Sequence, residues 1–322
     1  MAFAFGCRCG PLPGLTRGAA QVLAEPLHSS GMRLMATNKE LLMKLRRKTG
    51  YSFTNCKKAL EKFCSDLSQA EDWLHEEAHR EGWSKATKLQ GRRAQEGLIG
   101  LLRDRSSAVL VEVNCETDFV ARTVRFQQLV HQVAQVALTH CGCAVPALTG
   151  PGSYTKTSLT PEELARLSSS PELPPLADQL AMAIGKLGEN MLIRRAAWVS
   201  VPPDCHIGCY VHGAEPSSSP APGLAHTAFG RYGALVVCRG PGTVGKAGLA
   251  ELGRRLGQHV VGMSPLSVGS PLDPPGDDTE TRMLAQPFLL DPGLTVSQYL
   301  TTSGVAIIDF IRFECGEETE RA

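Results

Sequence analysis

GLIGLLRDRSSAVLVEVNCETDFVAR, residues 97–122, is the stretch on which the fold turns. Two apolar runs, GLIGLL and AVLVEVNC, flank the polar turn Asp104–Ser107, and their alternating apolar positions read as a β-hairpin. From Phe119 the period becomes helical, with Leu129, Val130, Val133, Val136 and Ala137 sharing a face. A hairpin running into a helix marks an α+β unit. At the corner between them, Thr117 or Asp118 caps the helix and Phe119 begins its apolar face.

Toward the C-terminus, residues 141–178 are rich in Pro, Ser, Thr and Gly and read as loop. Near Asp178 a helix resumes in DQLAMAIGKLGEN, followed by the strand MLIRRAAWVSV. The second half repeats the plan. CYVHG and YGALVVC read as strands around AEPSSSPAPG, whose composition is that of a disordered insertion. LAELGRRLGQHV reads as a helix, with HVVGM and IIDFIRFEC as later strands. Two hairpin-plus-helix units in tandem predict two related α/β core subdomains, residues 94–200 and 201–322.

Toward the N-terminus, residues 37–80 predict three short helices. Thr37 and Glu40 make a capping box ahead of Leu41, Leu42 and Leu45, and Gly50 can close the first helix. Cys56, Leu60 and Phe63 set the second, while Ser68 and Glu71 cap a third that buries Ala70, Trp73 and Leu74. So few large apolar groups make a mini-domain that presents a surface rather than encloses an active site. A basic connector with Lys85, Lys88, Arg92 and Arg93 completes this region, residues 37–93. The first 36 residues carry Arg8, Arg17 and Arg33 against Glu25 alone, with no long apolar core, which fits a mitochondrial transit peptide.

Composition narrows the classes. Hydrophobic residues make up 43% of the 322 and charged ones 20%, in the ordinary globular range. No run has the roughly 18 apolar residues of a membrane span. The eleven cysteines are scattered, several within apolar runs, which favours a reducing compartment. Cys205 and Cys209 flank His206 but lack a second ligand pair at metal spacing. Without the leader, 33 basic and 32 acidic residues become 30 and 31, a balance near −1 with no electrostatic footprint of a nucleic-acid binder. A protein or small-molecule partner is favoured.

Two motifs invite enzymatic readings and fail them. HEEAH, residues 75–79, spells the zinc-protease pair His75 and His79 on one helix face. A protease also needs a third ligand and a dry cleft, and the neighbours Glu76, Glu77, Arg80 and Glu81 describe a solvated face. GPGTVGKA, residues 240–247, approaches a phosphate-binding loop, but Ala247 stands where a hydroxyl must meet Mg²⁺. No acid follows about 20 residues on to bind a ribose. Neither motif gives the chain a metal, a cofactor or a nucleotide of its own. What remains is NCETDFVAR: an exposed carboxylate beside an aromatic ring, able to perturb a partner's cation site while the ring wedges into a groove.

These blocks, taken together, resemble the elongation factor Ts family, specifically its mitochondrial form. LRRKTGYSFTNCKKAL (45–60), EVNCETDFVAR (112–122), IGKLGENMLIRR (184–195), YVHG (210–213), QPFLLDP (286–292) and FIRFECGE (310–317) occur in the family's order. The resemblance implies that residues 37–93 hold a UBA-like (ubiquitin-associated-like) three-helix domain. It implies a non-enzymatic guanine-nucleotide exchange factor of the mitochondrial matrix, working on elongation factor Tu without binding nucleic acid or membrane. It further implies that Thr117, Asp118, Phe119 and Val120 insert near the partner's Mg²⁺ and phosphates, with His212 as a further partner contact. Only 14 residues separate MSPLSV (263–268) from MLAQPF (283–288), too few for the coiled-coil excursion of bacterial members, which implies a one-to-one heterodimer. The rival readings are a scaffold or ubiquitin-binding module resting on residues 37–80, and an RNA or ribosome binder resting on the basic connector.

Overall fold

The structure, a computed structural model, describes residues 29–49, 51, 53–144, 153–170, 172–213, 224, 226–240, 246–277 and 279–318. Most of the leader, Gly50, the AEPSSSPAPG insertion and residues 241–245 of GPGTVGKA lie outside the described residues. The chain divides into a small unit, Met1–Asp72, and a larger one, Trp73–Ala322.

The small unit holds helices α1 (Ser29–Thr49) and α2 (Phe53–Lys62) and the start of α3 (Leu67–Leu89). Leu45, Cys56, Leu60 and Ala70 are buried as the spacing predicts, together with Ala59, while Leu41, Leu42 and Phe63 are only partly covered. The caps differ from expectation. The α1 backbone is already helical before Thr37, so that residue is internal. Between α2 and α3 the chain turns through Cys64 (φ 48°) and Ser65 (φ 70°). Asp66, rather than Ser68, then caps α3: its Oδ1 accepts from the amides of Ser68 (2.8 Å) and Gln69 (3.0 Å).

The basic connector is also revised. Its first half is helix, because α3 continues to Leu89. In the larger unit this stretch packs on α7 (Leu176–Leu187) at a very close approach. A Cβ on Gly82 would sit 2.6 Å from the Ala181 carbonyl, and one on Gly185 would sit 3.0 Å from the Gly82 Cα. Lys85 donates to the Gly185 carbonyl (2.9 Å), and the Trp83 indole donates to Asp178 (3.1 Å). Small residues at the crossing let two backbones meet, and that contact keeps the segment ordered past the point where charge alone predicts a linker.

The larger unit is α+β. The hairpin is strands β1 (Glu96–Asp104) and β2 (Ser107–Cys115) in antiparallel register, Leu102 opposite Val109. A short helix α4 (Asp118–Ala121) leads to the long α5 (Val124–Ala144). The stretch expected to be loop contains β3 (Thr155–Leu159) and α6 (Pro161–Arg166), the latter held by a Thr160–Glu163 capping box. After α7 comes β4 (Met191–Ser200), then β5 (Cys205–His212), β6 (Thr227–Gly230) and β7 (Tyr232–Arg239). HVVGM is not a strand; it forms the last turns of α8 (Lys246–Met263). The pair β8 (Pro287–Phe288) and β9 (Asp291–Thr295), helix α9 (Val296–Thr301) and β10 (Ala306–Glu314) complete the chain.

The strands make a five-stranded sheet ordered β3-β4-β2-β1-β6 and a three-stranded sheet ordered β10-β7-β5. The second half thus lends β6 to the first sheet, where Phe229 pairs with Gly100. The two sheets enclose one core with Ile99, Leu101, Leu110, Val199, Leu235 and Val237. Helices α5 and α7 cover the outer face of the first sheet over Phe126, Val130, Val133 and Trp198. Helix α8 covers the outer face of the second, together with Phe288 and Leu300. Strand β2 is therefore buried on both faces, which is why AVLVEVNC is nearly continuously apolar rather than cleanly alternating. Helix α8 meets β5 through Gly208 and Gly253, where a Cβ on either would come within 2.5 Å of the other's Cα.

Candidate functional site

The corner NCETDFVAR lies where β2 leaves the sheet. Thr117 is extended (φ −127°, ψ 151°), and its hydroxyl oxygen accepts from the Val120 amide at 3.4 Å, making it the N-cap of α4. The four residues after it divide by exposure. Val120 and Ala121 are buried in the core against α5, while Asp118 is half-exposed and Phe119 is 79% exposed. Phe119 therefore does not open the apolar face of a helix as its position suggests. That face starts one residue later, and the ring points to solvent. Among the described residues it is the most exposed Phe or Trp side chain. Asp118 pairs with Arg122 (3.1 Å), an exposed i,i+4 contact that holds the carboxylate only weakly. Val124 (50%) and Leu192 (47%) are exposed on the adjoining helix and strand.

A second segment grips the corner. Helix α7 ends at Gly188 in the left-handed conformation (φ 82°), the αL stop that releases the chain toward β4. The next residue, Glu189, accepts from the Thr117 amide (3.0 Å) with one carboxylate oxygen and from the Thr117 hydroxyl (2.5 Å) with the other. Glu116 answers by accepting from the Asn190 amide (2.7 Å), and the Asn190 side chain donates to the Arg92 carbonyl (2.7 Å). Arg92 also approaches Glu116 (3.6 Å). Burial, reinforced by the nearby Glu189 carboxylate, pushes the Cys115 thiol up to about 12. It remains a thiol and donates to the Thr117 carbonyl at 3.1 Å. Glu116, Glu189 and Asn190 carry no signal of these contacts in the sequence, and Arg92 reads there only as part of the basic connector. Gly-Glu-Asn after an apolar helix does signal a C-cap, but not what the Glu reaches.

His212 stands elsewhere in the larger unit, exposed at the end of β5 and paired in register with Tyr232. Its Nδ1 lies 3.1 Å from the Tyr210 hydroxyl, its ring stacks on Tyr210, and the Arg312 guanidinium sits over Tyr232. Leu289 and Leu290, from QPFLLDP, border the same groove. That loop is held by the buried His259. Its Nδ1 accepts from the Leu289 amide (3.2 Å), so Nε2 carries the proton and donates to Gln286 Oε1 (3.0 Å). Burial lowers the His259 pKa to about 4. Unfolded chains take up this proton near 6.5, so the stability His259 contributes is present above pH 6.5 and is lost as pH falls toward 4. The full loss is about 3 kcal/mol. Burial lowers His131 and His206 in the same direction. Denaturant unfolding at pH 7 and pH 5 is expected to show the fall, and His259→Gln to remove about 2 kcal/mol of it. An unchanged slope in that variant would mean that His259 is not the titrating group.

Of the other motif residues, His79 lies 3.3 Å from Asp178 while His75 is exposed on α3. The HEEAH face is thus partly an inter-helix contact rather than wholly solvated. GPGTVGKA falls between the end of β7 at Arg239 and the first turn of α8, which starts at Lys246, and its residues 241–245 lie outside the described residues.

The chain is similar to known proteins over nearly its whole length. A family model described as "Elongation factor Ts, mitochondrial, N-terminal" matches residues 24–84, and one described as "Elongation factor TS" matches residues 116–271. Proteins named elongation factor Ts, mitochondrial, from Mus musculus and Homo sapiens are 55% and 56% identical, covering 97% and 92% of this chain and 96% and 90% of their own. One of the same name from Branchiostoma floridae is 46% identical over 96% of this chain and 99% of its own. The second model begins at Glu116, inside the clamped corner, and the similarity carries through both sheets; the chain belongs to the elongation factor Ts family, with its mitochondrial members.

Proposed function

We infer that this chain is the guanine-nucleotide exchange factor of mitochondrial translation elongation: it binds elongation factor Tu·GDP one to one in the matrix and promotes GDP release. The family is one of exchange factors for elongation factor Tu, and the single observation that carries the mechanism is the bare Phe119 ring beside Asp118 on a held corner. Phe119 wedges into the partner's nucleotide domain. Asp118 disturbs the hydrogen-bonded shell of the partner's Mg²⁺, so metal and then GDP are held less well. Thr117 and Val120 anchor the corner from behind. Residues 37–93, as a UBA-like domain with its connector, grip the partner's nucleotide domain. The two related core subdomains, 94–200 and 201–322, span to its far side, where His212 makes contact.

Linkage constrains the scheme. A factor that weakens GDP binding by a given ratio is itself weakened by GDP in that ratio. A ratio of 100 corresponds to about 2.7 kcal/mol, within reach of a few displaced phosphate and metal contacts. The chain should therefore bind the nucleotide-free partner best. Stopped-flow release of fluorescent GDP from mitochondrial elongation factor Tu tests this reading. Saturating chain is expected to speed release by about 100-fold or more, and no acceleration would sink the exchange function.

A further inference from the structure

We propose that Glu189 is a positioning residue for nucleotide exchange, holding the Thr117 corner so that Asp118 and Phe119 are presented in one fixed orientation; this rests on the reading of that corner as the exchange lever. Helix α4 has only four residues, too few to hold its own conformation in water. Its geometry must come from outside. The β2–β4 ladder ends at the pair Cys115–Met191, so Glu116, Thr117, Glu189 and Asn190 lie just past the last paired residues. Beyond that point the two chains continue to exchange amide hydrogen bonds, but with side-chain carboxylates as acceptors. Glu189 takes the Thr117 amide and hydroxyl, and Glu116 takes the Asn190 amide.

The arrangement satisfies Thr117 completely. Its amide and hydroxyl donate to one carboxylate, which leaves a hydroxyl lone pair to accept from Val120. Its carbonyl accepts from Cys115 and from the Ala121 amide. Thr117 directly precedes the two exposed residues that act, Asp118 and Phe119. Binding a carboxylate at the amide end of α4 also suits the helix's polarity. Glu189 is itself fixed from both sides, by the left-handed stop at Gly188 and by the strand that starts at Met191. The carboxylate makes no other hydrogen bond among the described residues. Its role here is thus directed at the lever.

The test separates the maximal rate of GDP release at saturating chain from the concentration giving half that rate. Glu189→Gln keeps the side chain's shape but offers an amide N–H₂ where the Thr117 hydroxyl needs an acceptor. The maximal rate is expected to fall about tenfold, with half-saturation moving less than about threefold and the thermal midpoint nearly unchanged. Thr117→Val, which removes the partner hydroxyl, carries the same expectation should Glu189→Gln fold poorly. The double variant should be no slower than Thr117→Val alone, because that change already removes the hydroxyl's contact with Glu189 together with its cap on Val120. Loss of folded protein or of affinity would shift half-saturation and leave the maximum in place; that result overturns the proposal. So does an unchanged maximum in Glu189→Gln beside a collapsed one in Asp118→Ala/Phe119→Ala. A normal maximum in that last variant would instead overturn the lever itself, and the role of Glu189 with it.

Discussion

Replacing Asp118 and Phe119 together by alanine is expected to cut the maximal rate of GDP release about 100-fold, back toward the unaided rate. The variant should still bind the nucleotide-free partner. The expectation is strong because the two residues contribute little to the fold. Phe119 is 79% exposed, so truncating it leaves no cavity, and among the described residues the Asp118 side chain makes only an exposed pair with Arg122. Surface substitutions of this kind alter stability by about 0.5 kcal/mol or less. Whatever rate is lost is then lost from the exchange step. Stopped-flow traces at saturating chain give the maximum, and titration of the nucleotide-free partner gives affinity. Equal acceleration by wild type and variant would move the leverage elsewhere, to the N-terminal helices or to the surface around His212.

The second large effect lies beneath the corner, at Glu112. This carboxylate is fully buried and accepts from Arg195 (2.6 Å), from the Gly316 amide (2.8 Å) and from Asn114 (3.2 Å), with Arg194 at 3.8 Å. Adjacent strand residues ordinarily face opposite sides of a sheet. Here the pairing slips between Glu112 and Val113, so that Glu112 faces Arg195 while Val113 faces Ile193, and Arg194 is the extra residue. The bulge brings both arginines to one acid. Arg195 also covers the Phe313 ring and pairs with Glu317, and Gly316 follows β10, so Glu112 ties the end of the second sheet to the middle of the first. Glu112→Gln leaves the partly buried Arg195 with only the more exposed Glu317 as counter-charge, at a cost of about 3 kcal/mol. In a unit of this size the thermal midpoint should fall roughly 6–12 °C. Glu112→Met/Arg195→Met, which removes both charges, should recover much of that loss. A Glu112→Gln midpoint within about 2 °C of wild type would show that the tie is not a stabilising one.

Periodicity carried much of the fold. The hairpin, α5, β4, β7 and β10 are where their apolar spacing places them, since a side chain's repeat of two or three to four residues follows directly from backbone geometry. It failed where the stabilising contact is distant in sequence. Helix α3 persists to Leu89 because Gly82 and Gly185 admit close packing, and β3 forms because it pairs with β4. HVVGM reads as a strand by composition, but His259 is drawn into α8, where its ring holds Gln286 and Leu289.

The candidate site divides in the same way. By itself the sequence determined the corner: a capping threonine, an acid and an aromatic ring between a strand and a helix, in family blocks whose order names the family. These are local facts, fixed by residue type and spacing. Only the tertiary structure decided that Phe119 is bare while Val120 is buried, that Glu189 takes hold of Thr117, and that Glu112 is ringed by donors from β4 and from the chain beyond β10. Exposure, and pairing between residues 72 and 204 positions apart, depend on how the strands are brought side by side. No local spacing in the chain encodes that.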